Sequence, residues 1–170
     1  YGGYYGLNYD NHFTLFSASG YDFIEINLEY DQVANPLVLN WADSILKAYP
    51  SRRAIVTSHH FLNPDNTFGP QGQATFDHLN NNPNLFLMFC GHMPGEGKRT
   101  DTINGNIIHT ILSDYQSRPT GGSGWIKVLE FKPAINKIAV ETYSPLLDMF
   151  ETDGDSKYNL DYNMTPEYQL

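Results

Sequence analysis

Arg53-Ala54-Ile55-Val56-Thr57-Ser58-His59-His60 and Leu85-Phe86-Leu87-Met88-Phe89-Cys90-Gly91-His92 are two short apolar runs, and each ends in histidine. Runs of this length, rich in β-branched or aromatic residues and bounded by turn formers, predict strands buried on both faces. Between them, Asn63-Pro64-Asp65-Asn66 and Gly69-Pro70 mark a loop. A helical spacing follows over 71–81, with Ala74, Phe76 and Leu79 on the inner face. The order is strand, helix, strand, and both strands finish at histidine. Both histidine groups then fall at the C-terminal edge of the sheet, where ligands bind in open α/β folds.

Upstream, residues 12–17 and 22–28 alternate polar with apolar residues around Ser19-Gly20 and predict two strands. After Asn35-Pro36, the positions Leu37, Leu39, Trp41, Ile45, Leu46 and Tyr49 form one helical stripe that Pro50 ends. Beyond Thr100 helical signals stop. Residues 107–112, 125–131 and 137–143 read as strands, separated by turns at Asn104-Gly105, Pro119-Thr120-Gly121-Gly122 and Pro133-Ala134. The tail over 144–170 is acidic and irregular, packed on the rest, with one short strand over 158–162. The fold class is therefore mixed α/β, its C-terminal part mostly antiparallel.

The chain has 170 residues, with 10 Lys+Arg against 19 Asp+Glu and a net charge of -9. Its longest basic run is Arg52-Arg53, which excludes a basic face for nucleic acid. With 41% hydrophobic and 14% aromatic residues a packed core is expected, in one or at most two domains. No stretch approaches the ~18 to 20 consecutive apolar residues of a membrane span. The single cysteine, Cys90, excludes an intrachain disulfide and any Cys-rich metal site. Abundant Tyr, few lysines and the Asn-rich loop Asn80-Asn81-Asn82-Pro83-Asn84 suggest an exported protein, periplasmic or secreted. A first residue that is not Met suggests further chain upstream.

On spacing alone, His59, His60 and His92 admit two readings. Imidazole is the commonest metal ligand, suited with carboxylates to Zn, Fe or Mn. Alternatively, His60 packs under a loop and His92 caps a turn. The wording around them narrows the choice. Val56-Thr57-Ser58-His59-His60, followed by a helix, a strand and Cys90-Gly91-His92, resembles the C-terminal half of the calcineurin-like metallophosphoesterase superfamily. Tyr4-Tyr5, Asp22-Phe23-Ile24, Leu28-Glu29-Tyr30-Asp31, Gly72-Gln73-Ala74, Leu112-Ser113-Asp114-Tyr115-Gln116 and Tyr143-Ser144-Pro145 extend the likeness to a bacterial exported branch of it.

The resemblance implies half of a metallophosphoesterase-type β-sandwich flanked by helices, residues 1–170 being the C-terminal part of a single domain. It implies hydrolysis of phosphate esters by a bridging hydroxide on two divalent or mixed-valence metal ions, Zn, Fe or Mn. Of the family's five blocks, Asp-x-His, Gly-Asp and Gly-Asn-His-Asp/Glu are missing here. The fourth, a strand-end His, falls on His59, with His60 as substitute. The first His of the fifth, Gly-His-x-His, falls on His92, and its second falls on Pro94, which offers no donor. Both matched histidines would ligate one metal. No catalytic residue is carried over, so the fragment is expected to be inactive alone and to need the missing N-terminal half as partner, with a phosphate ester as substrate.

Other residues weigh less. Glu96 could replace the imidazole lost at Pro94, against the default of a solvated carboxylate. Gly121-Gly122-Ser123-Gly124 precedes a strand and lacks a P-loop lysine, so it reads as a turn. Asp114, Tyr115 and Gln116 border the cleft or form a turn. Asp153 and Asp155 do not complete a calcium loop. His12 and His109 read as structural, His78 as surface, and the sequon Asn163-Met164-Thr165 is assigned nothing. Two competing functions remain: a non-catalytic relic serving as a binding or scaffold domain, motivated by Pro94, and a carbohydrate-binding sandwich, motivated by Tyr and Trp, although Trp41 and Trp125 occupy expected core positions.

Overall fold

A computed structural model describes residues 1–164. A short β1 (Gly3–Tyr4) precedes a hairpin of β2 (His12–Ala18) and β3 (Tyr21–Leu28). Ser19 and Gly20 both take positive φ at its turn, which matches the twist of the flanking strands. Helix α1 (Pro36–Ala48) starts where the Asn35 side chain accepts the Leu37 N–H at 3.0 Å and proline occupies the first turn. It buries Leu39, Ala42 and Leu46. Strand β4 (Arg53–Ser58) runs parallel to β3, α2 (Pro70–Leu79) crosses over, and β5 (Leu85–Cys90) runs parallel to β4. The register shifts between Ala54 and Ile55, whose partners are Leu85 and Leu87. The extra residue, Phe86, lets neighbouring Phe86 and Leu87 both join the inter-sheet core.

Strand β6 (Gly95–Ile103) and β7 (Asn106–Asp114) form a hairpin, with β7 parallel to β5. The large sheet has the order β1-β2-β3-β4-β5-β7-β6. Strand β6 corrects the sequence reading, which has no strand there. Gly95-Glu96-Gly97-Lys98-Arg99 carries no apolar alternation, and its extended form comes from backbone pairing with β7 along the sheet edge. The second sheet packs β8 (Ile126–Lys132), β10 (Met149–Phe150) and β11 (Lys157–Asp161) against β9 (Lys137–Ser144), all antiparallel. Of the 144–170 tail, the described part over 144–164 is thus less irregular than its composition predicts, and Leu160 and Met164 enter the core. Helices cover one face of the large sheet through Ile24, Ile26, Val56, Leu39, Leu46 and Leu79. The second sheet covers the other, setting Phe23, Phe86 and Ile111 against Ile138, Val140 and Leu160. The architecture is a mixed α/β sandwich with helices on one side.

Candidate functional site

Strands β4 and β5 carry the histidines to one edge because they are parallel neighbours. The Gly91 N–H donates to the His59 carbonyl at 3.0 Å, tying the two strand ends together. His92 then takes φ +69, a left-handed conformation that costs a non-glycine residue about 1–2 kcal/mol. In this conformation its ring meets His59: Nδ1 of His92 lies 2.9 Å from Nε2 of His59, with ring centroids 4.6 Å apart. Both rings are exposed.

Two further groups close around the pair. Tyr30, in the loop after β3, lies 5.5 Å from the His59 ring and 5.7 Å from His92 between centroids. That loop is anchored by buried Gln71, whose amide donates to the Glu29 carbonyl at 2.7 Å and accepts from the Asp31 N–H at 3.3 Å. Sequence reasoning gave Tyr30 and Gln71 no role. The available signal was that β3 ends on the same edge as β4 and β5. His60 behaves differently from its neighbour. Its ring centroid is 5.2 Å from that of His92, but Nε2 sits 3.2 Å from Asn63 Oδ1 and the ring lies against Gly69, where a Cβ would come within 2.7 Å of it. It packs under the loop.

Glu96 lies elsewhere in function. Oε1 accepts from Thr142 at 2.6 Å and Tyr115 at 2.8 Å and pairs with Lys127 Nζ at 2.7 Å. Oε2 accepts from Ser156 at 2.7 Å and Arg118 at 3.1 Å. Burial by itself would raise its pKa, but the bonds from Lys127, Thr142, Ser156 and Tyr115 outweigh that and hold it at about 2. Burial, with the Glu96 carboxylate beside it, pushes the Tyr115 hydroxyl up to about 12. With five donors already on its two oxygens, Glu96 joins the sheets and is not set to replace an imidazole. Glu151 and Asp153 bring one oxygen each within 4.8 Å of it, yet Arg118 bonds both Glu96 and Glu151, so the group is ion-paired. Asp153 also accepts the Asp155 N–H at 3.0 Å, as turn residues do.

The remaining candidates are placed as follows. Asp114 Oδ1 accepts the Gln116 N–H at 2.9 Å, and Asp114, Tyr115 and Gln116 border a cleft. His109 is buried, bonded to Thr100 at 2.9 Å and the Asp161 carbonyl at 2.8 Å, and burial lowers its pKa. His12 bonds the Tyr9 carbonyl at 2.9 Å. Half-buried His78 sits in the last turn of α2. The sequon at Asn163 runs on to Thr165, outside the described residues.

The fold and the edge site define a mixed α/β protein with paired imidazoles at the carboxyl ends of parallel strands. No family model matches the chain. It is 28% identical over 180 residues to the uncharacterized protein YvnB of Bacillus subtilis (strain 168), covering 96% of this chain and 14% of that protein. A candidate 5'-nucleotidase from Staphylococcus aureus, solved with alpha-ketoglutarate, superposes with a TM-score of 0.41 and 13% identity, over 98% of this chain and 32% of that one. That likeness is too distant to bear on function. The chain therefore spans a small part of the relatives it matches. Among the described residues no helix is long and apolar enough to cross a membrane.

Proposed function

We propose that this chain is the C-terminal part of an exported, metal-dependent phosphoric ester hydrolase, with His59 and His92 as two ligands of one divalent cation. The observation that carries this reading is the 2.9 Å approach of two exposed imidazole nitrogens from adjacent parallel strand ends. The donor set fits part of a cation site: neutral imidazole binds Zn, Fe and Mn, and at about 2.0–2.1 Å per bond two ligand nitrogens sit only slightly further apart than these do. It does not fit a whole one. An ion takes about four to six ligands, and among the described residues no carboxylate is hydrogen-bonded to either ring. The other ligands, and those of a second ion, come in this proposal from an N-terminal half of the same domain. Bound cations would polarise the ester and acidify the attacking water.

The roles of this chain's own groups are narrower. His59 and His92 bind and orient, Tyr30 and His60 wall the pair, and Gln71 fixes the Tyr30 loop. The test is hydrolysis of an aryl phosphate by the full-length protein with Mn, Zn and Fe each supplied. Metal-dependent turnover that falls at least 100-fold in His92→Ala is expected. Absence of turnover with all three metals overturns the proposal. Pro94 favours the second reading, a non-catalytic binding or scaffold relic, which predicts background metal content and no effect of His92→Ala.

A further inference from the structure

Beside the histidine pair the structure opens a cleft of about 380 Å³. Its lining includes Gly91, the residue before His92, and Trp125 with Gly121, Gly122 and Gly124. Asp114, the last residue of β7, and Gln116 line it too. Through Gly91 the cleft adjoins the candidate metal edge.

Part of its wall has strained backbone. Thr120, Gly121, Gly122, Ser123 and Gly124 take φ of +56, +68, +102, +48 and +69, five successive left-handed residues of which two are not glycine. Such strain persists only where surroundings hold it, and it concentrates where a ligand is gripped. Here the surroundings are the buried ion network. Arg118 lies 4.6 Å over the Tyr115 ring and 5.6 Å over the Trp125 ring, and is itself held by Glu96 and Glu151. Glu96 also receives the Tyr115 hydroxyl. The side chains of the lining are chemically selective. Asp114 is a carboxylate acceptor with one oxygen in its own turn, Gln116 is an exposed amide, and Trp125 supplies a flat half-buried ring. A carboxylate, an amide and an indole face suit a ligand that donates hydroxyls and offers a C–H face, and Asp114 on a chain of net charge -9 disfavours a second anionic group.

Resting on the hydrolase reading above, we infer that this cleft is the leaving-group subsite and takes a neutral, polyhydroxylated sugar-type alcohol, with Trp125 stacking on it and Asp114 and Gln116 bonding its hydroxyls. The full-length protein tests it with a hexose phosphate and an aryl phosphate, alongside calorimetric titration with methyl glucoside and with adenosine. Trp125→Ala and Asp114→Ala should each raise KM for the hexose phosphate about tenfold or more, change its kcat much less, and abolish glucoside binding. Trp125→Phe, which keeps a ring in the wall, should retain glucoside binding and guards against a folding artefact. Unchanged KM for the hexose phosphate in both variants, no glucoside binding by the wild type, or tighter binding of adenosine overturns the subsite. If neither ester is turned over, the hydrolase reading fails, and glucoside binding alone decides the subsite.

Discussion

His92 shows how one residue's backbone decides a site. Its left-handed φ places the imidazole against His59. His92→Ala or His59→Ala should each weaken Mn or Zn binding by 10-fold or more, read by titration calorimetry, since a site that loses a ligand holds its ion less well. Pro94→His should strengthen it if the position still faces the ion, and unchanged affinity would show that it does not. Glu96 carries a pH prediction. Its folded pKa of about 2 lies below the ordinary 4.5, so its contribution to stability is complete above pH 4.5 and is lost as pH falls toward 2. Thermal unfolding scans should show Tm dropping across that window, with a flatter profile for Glu96→Gln, which starts from a lower Tm at pH 7. These residue-scale roles were unevenly legible. The His59 and His92 positions follow from the two strand-end runs, whereas the Glu96 partners come from the segment after β7, from β8, β9 and the loop before β11, at separations of up to 60 residues that no local pattern records.

At the scale of elements, α2 is positioned by a glycine. A Cβ at Gly72 would stand 2.2 Å from the Phe61 carbonyl oxygen, and backbone cannot yield as a side chain can. Gly72→Ala should therefore cost about 1–3 kcal/mol, the usual penalty for overpacking, despite alanine's better helix propensity, as denaturant titration would show. The elements with strong local signals are the ones whose sequence reading agrees with the structure. Asn35-Pro36 starts α1, Ser19-Gly20 and Asn104-Gly105 turn hairpins, and β4 and β5 are continuous apolar runs. Strand β6 escapes such reading because its residues are polar and its hydrogen-bond partner is β7. Helix α2 ends at Leu79, two residues short of the spacing over 71–81, where Asn80 and Asn82 turn the chain toward β5.

At the scale of the molecule, the two sheets are held by the inter-sheet core and by a clamp at the end of the described chain. Arg53, starting β4, donates to the Tyr162 hydroxyl at 2.7 Å and the Asn163 carbonyl at 3.0 Å, while its guanidinium lies over the Tyr21 and Tyr162 rings. Tyr162 in turn stacks on Phe86 with centroids 4.0 Å apart. Arg53→Ala should loosen the region after β11 before the parallel core, visible as faster amide exchange there with β4 and β5 still protected.

The fold class and the delivery of His59 and His92 to the ends of two buried strands were set by period, turn chemistry and strand length, all local properties that adjacent residues express together. The contact between the two rings, the commitment of Glu96 to a buried ion network, the turn of Trp125 from an expected core position to a cleft wall and the five-residue left-handed loop were decided only by tertiary packing. Each depends on groups far apart in the chain whose distances and charges exist only once both sheets are assembled.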